Sequence, residues 1–136
     1  YQKYWPNGWD EIRLNAQAGH LGGDVPFYDE WSIGDGFVRT GFQTQIFVRH
    51  AASVSFEYRL SLSRETLKVS IFNDFAVYEK LDELRQSQAP QIIDSAGGGL
   101  HVLLFDAFQI NTYLGVAIDQ ELGFGLGLAA SVVRAF

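Results

Sequence analysis

The chain has 136 residues, 47% of them hydrophobic and 15% aromatic, and a formal net charge of −6. That acidity, with no cluster of Lys or Arg, argues against a nucleic-acid partner, and the absence of cysteine removes disulfides, thiolate metal sites and Cys nucleophiles. No apolar run reaches the ~18 residues of a membrane-spanning helix, none reads as a signal peptide, and the start at Tyr1 without Met is read as that of a processed or trimmed piece.

Six segments alternate with a period of two, the repeat of a β-strand. Before the first of them, Tyr1, Tyr4, Trp5 and Trp9 cluster, either as membrane-interface anchors or as a partial strand against a neighbour. Residues 10–22 follow, with Ile12, Leu14, Ala16 and Ala18 on one face and Glu11, Arg13, Asn15 and Gln17 on the other. A long loop, 23–44, leads to the longest segment, 45–62. There Ile46, Val48, Ala52, Val54, Phe56, Tyr58, Leu60 and Leu62 share a face interrupted by His50, opposite Gln45, Arg49, Ser53, Ser55, Glu57, Arg59 and Ser61. A short turn at 63–66 precedes segment 67–79, with Leu67, Val69, Ile71, Phe75 and Val77 against Lys68, Ser70, Asp74 and Tyr78. A polar connection, 80–91, carries a predicted helical turn at 79–85. Segment 92–105 contains Gly97-Gly98-Gly99, which predicts a bend. After a turn at Asp106-Ala107, residues 108–119 set Phe108, Ile110, Leu114, Val116 and Ile118 against Gln109, Asn111, Tyr113 and Asp119.

The terminal segment, 124–136, alternates large with small: Phe124, Leu126, Leu128, Ala130, Val132, Arg134 and Phe136 against Gly125, Gly127, Ala129, Ser131, Val133 and Ala135. An apolar face opposite a small or polar one, repeated over 11–18 residues, exceeds the ~5–6 residues usual for soluble strands. It suits the ~9–11 needed to cross a bilayer at a tilt. Long and short connections alternate as extracellular loops and periplasmic turns do, except that 120–123 is short where a long one is due. The predicted fold is therefore all-β: part of an antiparallel transmembrane β-barrel, with about six strands in this chain. Since about eight are the working minimum for closure, further strands or further protomers must complete the sheet.

Other constellations have plainer readings. His20, His50 and His101 fall on three segments without ligand spacing, and no metal or cofactor is expected. Asp29, Glu30 and Asp35 read as solvated loop acids. Gly123-Phe124-Gly125-Leu126-Gly127 lacks the following helix that a phosphate loop requires. Arg39, in a Gly-rich loop, is either solvated or held by Glu57 and Asp74, which both lie on polar faces.

The stretch Pro26-Phe27-Tyr28-Asp29-Glu30, Ile33-Gly34 and Val38-Arg39-Thr40-Gly41-Phe42, followed by Phe56-Glu57-Tyr58-Arg59, resembles the sixth extracellular loop and flanking strands of the BamA/TamA/FhaC superfamily. The family's Val-Arg-Gly-Phe/Tyr is interrupted here by Thr40. Phe72-Asn73-Asp74 is similar to the family's Phe-x-Asp, Ala96-Gly97-Gly98-Gly99-Leu100 to its Gly-Leu strand start, and Leu128 to Phe136 to its C-terminal recognition strand. The resemblance implies the last six of sixteen strands. It also implies a loop folded into the lumen through Val38, Arg39, Gly41 and Phe42, with Arg39 bonded to Glu57 and Asp74. Leu128, Ala130, Val132, Arg134 and Phe136 would form the assembly-signal strand. It further implies a bacterial outer-membrane protein that inserts or secretes other outer-membrane chains and needs no bond-making chemistry. Its partners would be lipid, its client chains and the strands that close the barrel, with the first-to-last-strand seam as the working element. The rival readings are the membrane anchor of a patatin-like lipase and a soluble lipid-binding β-barrel.

Overall fold

A computed structural model describes residues 2–23, 30–33, 37–39, 47–64, 66–80, 88–105, 107–120 and 123–134, with backbone alone for 2–7 and 80. These residues form one antiparallel sheet and contain no helix. Its strands are β1 (Gln2–Asn7), β2 (Asp10–His20), β3 (Trp31–Ser32), β4 (Phe47–Ser63), β5 (Leu67–Lys80), β6 (Gln91–Leu104), β7 (Phe108–Asp119) and β8 (Gly123–Arg134). The order is β1-β2-β4-β5-β6-β7-β8, a meander of seven long strands, and the two-residue β3 pairs with β4 at its loop end. Among the described residues β1 and β8 each pair on one side only, so the sheet is open.

The count therefore differs from the six strands expected. Tyr4 and Trp5 of the N-terminal aromatic cluster lie on a strand, with register pairs from Gln2↔Asn15 to Asn7↔Asp10, closed by a turn at Gly8 (φ 66°) and Trp9, while Tyr1 lies outside the described residues. Pro6 cannot donate to a ladder and is tolerated on an edge, which is where β1 lies. The polar connection begins later than predicted, because β5 runs through Lys80, so residues 79–80 of the predicted helical turn are strand; its residues 81–85 lie outside the described residues.

The alternation sorts the sheet into two chemically opposite faces. On one, Val54, Phe56, Leu60, Ile71 (65%), Phe75, Leu114, Val116, Ile118, Phe124, Leu126, Leu128 (72%) and Val132 are exposed. On the other, Ser53, Ser55, Glu57, Arg59, Ser70, Asp74, Ser95, His101, Asn111 and Asp119 are buried. A water-soluble sheet does the reverse.

Val48 breaks the predicted face assignment. It was expected on the apolar face with Ala52 and Val54, yet it is buried on the opposite one. The cause is a bulge in β4 between Val48 and His50, where one extra residue shifts the register. Below the bulge the two faces follow the sequence. Ile46, the other residue of that expected set before the bulge, lies outside the described residues.

The loop between β2 and β4 supplies the cover for the polar face at its loop end. Ile33 and Val38 bury against Val48, Ala51, Ala76, Tyr78, Ile93 and Ala117, with Trp31 and Phe37 stacked alongside at 5.7 Å. Gly19 makes this possible, since a Cβ there would fall inside the Trp31 ring, 0.8 Å from its nearest atom.

The glycine run in β6 does not bend the chain: the strand continues unbroken from Gln91 to Leu104. A Cβ on Gly97 would sit 2.2 Å from the Leu114 carbonyl oxygen and 2.9 Å from the Phe72 ring, and one on Gly99 2.8 Å from the Tyr113 ring. Gly98 points the other way, with its nearest neighbour at 3.4 Å. Gly97 and Gly99 thus leave clearance for the β7 backbone, the Ser70 hydroxyl and two aromatic rings. Replacing Gly97 by Ala should destabilise the folded chain by roughly 1–3 kcal/mol, and Gly98→Ala should stay within about 0.5 kcal/mol. Urea unfolding of both variants, followed by tryptophan fluorescence, checks the difference.

Candidate functional site

The site is a chain of ionic and polar side chains along the buried face of β4, β5, β6 and β7, entered by the loop through Arg39. Glu57 and Asp74 reach it by strand periodicity alone. Glu57 pairs in register with Phe72, and Asp74 with Ser55, so both carboxyls fall on the same face of adjacent strands.

Arg39 spans the two acids. Its Nη1 lies 3.0 Å from Glu57 Oε2 and its Nη2 3.2 Å from Asp74 Oδ1. Its backbone N–H also donates to Asp74 Oδ2 at 2.9 Å, and Nη2 donates to the Ser55 hydroxyl. Ser55 in turn donates to Asp74 Oδ1 at 2.5 Å. The guanidinium carbon sits 4.9 Å from the Phe72 ring centre and 5.4 Å from that of Tyr113, and the two rings meet edge to face at 5.6 Å. A delocalised planar cation is the side chain that can bridge two carboxylates and lie against rings at once.

Glu57 has two more cationic or donor neighbours. Arg59 Nε is 3.0 Å from Glu57 Oε1, and His101 Nε2 is 3.2 Å from the same oxygen. Arg59 also donates to the Tyr113 hydroxyl at 3.0 Å. Glu57 is 2% exposed, Asp74 1% and Arg59 4%. Charges so far from water persist only when paired and hydrogen-bonded, and here each carboxylate is. The two acids are unequally supported. Without Arg39, Glu57 keeps Arg59 and His101, whereas Asp74 keeps only the Ser55 hydroxyl among the contacts described above.

From His101 the network runs to the far side of the sheet. His101 Nε2 is 2.8 Å from Ser70 Oγ, and Nδ1 is 2.8 Å from Asn111 Oδ1. Gln109 donates to the same Asn111 oxygen, and Asn111 reaches Ser131 on β8 at 3.4 Å. The Ser–His–Asn order has the distances of a nucleophilic triad. Glu57, however, competes for the imidazole nitrogen that would act as base, and Ser70 is buried beneath Gly99, whose added Cβ would touch its hydroxyl at 2.5 Å. The arrangement ties strands together. Toward the tight-turn end, Glu11 accepts from Arg13 at 2.8 Å and from Lys68.

Beside Arg39 lies a cavity of about 280 Å³. Three guanidiniums (Arg13, Arg39, Arg59) and two carboxylates (Glu57, Asp74) line it.

The expected site residues are thus placed as follows. Val38 is buried in the loop's apolar contact, and Arg39 meets Glu57 and Asp74; Gly41 and Phe42 lie outside the described residues, as does Thr40. Leu128, Ala130 and Val132 lie on the apolar face of β8, and Arg134 is its last residue, in register with Phe108. Phe136 lies outside the described residues. Of the loop acids, Glu30 pairs with Arg49 at 3.4 Å, and Asp29 and Asp35 lie outside the described residues. The sequence reading overlooked Arg59, His101, Ser70 and Asn111 as site members. Their shared polar-face parity was the available signal. It also treated the histidines as scattered, whereas His20 and His50 are register partners. Among the described residues no group of three or more His, Asp or Glu is placed to hold a metal.

No protein-family model, no curated protein and no solved structure matches this chain.

Replacing Arg39 by Ala should cost about 3–5 kcal/mol of loop anchoring, the usual penalty for leaving buried charge without its partner. Arg39→Lys should recover little of it, since a point charge cannot bridge both acids. Hydrogen exchange at the Val38 amide, which donates to Ile33 at 3.3 Å, reads the loss directly. Unchanged protection in Arg39→Ala would remove the pinning role.

Proposed function

We propose that the chain is the C-terminal portion of a bacterial outer-membrane β-barrel of the assembly or translocation type, helping to insert or secrete other outer-membrane chains. The observation that carries the membrane part is the reversed sheet: apolar side chains exposed on one face, ionic ones buried on the other. In water such a face is a liability. Monomeric soluble proteins rarely expose continuous apolar patches beyond roughly 300–600 Å², and this face runs across β2 and β4 to β8. In hydrocarbon the same face costs nothing, and the ionic face becomes a lumen wall. The strands have the length for it, since β4 has 17 residues and β5 and β6 have 14 each.

Two polar residues on the apolar face fit the same physics. Asn73 donates to Asp94 at 2.6 Å and to the Ser95 carbonyl at 3.3 Å, so the pair meets part of its hydrogen-bonding need locally. The open edges fit as well. Unpaired backbone groups in hydrocarbon cost several kcal/mol each, so further strands of the same protein, or another protomer, would pair with β1 and β8.

The loop and the last strand support the assembly role. An arginine delivered by a long loop to two interior acids holds that loop inside the barrel, where client chains would pass or dock. β8 carries Gly123, Gly125 and Gly127 at its start, and glycine weakens a strand. A weak last strand suits a seam that opens to receive a client strand. No bond-making chemistry is required, and the partners are lipid, client chains and the closing strands.

Two measurements test the two parts. Leu128→Arg and Ile71→Arg, placed on the apolar face, should lower folding efficiency into phospholipid vesicles by about 2–4 kcal/mol if they lie near the bilayer midplane. Full folding of both variants in detergent-free buffer as monomers would favour a soluble lipid-binding barrel instead. For the assembly role, the complete protein is reconstituted with a disulfide joining a Cys at position 127 to the strand that neighbours β8. Insertion of an unfolded client barrel should stop under oxidising conditions and return on reduction. Insertion that continues unchanged removes the gating seam and leaves the anchor of a larger protein as the better reading.

A further inference from the structure

His20 and His50 stand at the loop end of the apolar face, directly across the β2–β4 ladder from one another. Their rings lie 4.4 Å apart at 37°, and the two Nδ1 atoms are 2.7 Å apart. The contact is exposed to solvent. One step further along the sheet, Glu79 of β5 is the register partner of His50. Three potential ligands therefore follow one another across three neighbouring strands on one face. Both pairings continue the unbroken register of the ladders that run from His50 toward Arg59, and the β4 bulge lies just beyond them, between Val48 and His50.

Two imidazole nitrogens at this distance require one to carry the proton and the other to accept it. A divalent transition metal satisfies both lone pairs at once. Tetrahedral Zn–N bonds of ~2.0–2.1 Å place the two nitrogens about 3.3 Å apart, so the rings need to separate by roughly half an ångström. Side chains at an exposed rim can make that movement without disturbing the ladder. Arg49, the bulged residue, engages Glu30 and the Gly23 carbonyl.

We propose that His20 and His50 form a binding site for a borderline divalent cation of the zinc or copper class. Water completes the coordination, and Glu79, which is not placed on the pair and has a contact of its own, joins as a third ligand only by exchanging that contact. Imidazole and carboxylate ligands at an open position suit this class over magnesium or calcium, which prefer oxygen alone. The bound ion joins β2 to β4 on the face opposite the Arg39 cluster, at the end where the long loop leaves the sheet. The site needs no membrane, so its test is independent of the function proposed above.

The test uses the full chain, folded and free of any histidine tag. Titration with Zn2+ should give one ion per chain with a micromolar dissociation constant, and Cu2+ should give an electron paramagnetic resonance spectrum with coupling to two nitrogens. His20→Ala and His50→Ala should each weaken binding by about tenfold or more, with unchanged circular dichroism as the check on folding. On the unaltered protein, Zn2+ should protect His20 and His50 from diethylpyrocarbonate, located by mass spectrometry. Binding of equal strength in both variants, binding only at millimolar Zn2+, or labelling unaffected by Zn2+ would each overturn the site. Glu79→Gln reports on the third ligand: a several-fold loss supports the carboxylate, and an unchanged constant removes it from the set.

Discussion

A carboxylate removed from water must find a cation or surrender its charge. Glu57 and Asp74 are buried side by side on the same face of adjacent strands, so two negative charges compete for one dry region. Arg39 resolves the conflict by bridging them. Much else follows from that bridge. The loop must reach inward to deliver Arg39. Its backbone N–H is recruited to Asp74, which fixes the chain as well as the side chain. Phe72 and Tyr113 close over the guanidinium, and Gly97 and Gly99 are the backbone positions that leave those rings space. Two of the three glycines in the β6 run thus adjoin the rings that pack on Arg39.

The bridge is unequal, and the inequality has a direction. Glu57 belongs to a fixed set: Arg59 sits on its own strand and His101 two strands away, and neither depends on the loop. Asp74 depends on the loop for the larger share of its partners. Glu57 therefore acts as a standing post, and Asp74 as the acid whose charge the loop completes. Departure of the loop would leave Asp74 under-paired, a cost that returns the loop to its seat. A single acid would hold Arg39 less selectively, because bidentate and bridging contacts add geometry to attraction.

How far this was legible in the sequence depends on which residues carry it. Strict alternation in 52–62, 67–79 and 108–119 placed Phe56, Ile71 and Leu114 opposite Glu57, Ser70 and Tyr113, and the described strands keep that division. Three things escaped it. β1 holds Pro6 and does not alternate, so an edge strand read as an aromatic cluster. The bulge before His50 is one extra residue, which period counting cannot detect, and it moved Val48 to the other face. Gly97 to Gly99 suggested a bend because the sequence shows missing side chains but not the rings that fill the space. The histidines show the same limit more sharply. His20 and His50 are thirty residues apart in the chain and 2.7 Å apart at Nδ1, because register, and not spacing, decides which side chains meet in a sheet.

The polar face bears on the open edges. A network that links Arg39 through Glu57 and His101 to Asn111 and Ser131 holds β4 through β8 together from inside. Toward β8 the contacts traced above reach Ser131 at 3.4 Å, and residues 131–134 are exposed on both faces. The interior therefore stiffens the middle of the sheet and leaves its final strand held chiefly by the ladder to β7. A strand with glycines on one face and a ladder on one side only among the described residues gives up its partner at lower cost than β5, which is paired on both sides and tied through Asp74.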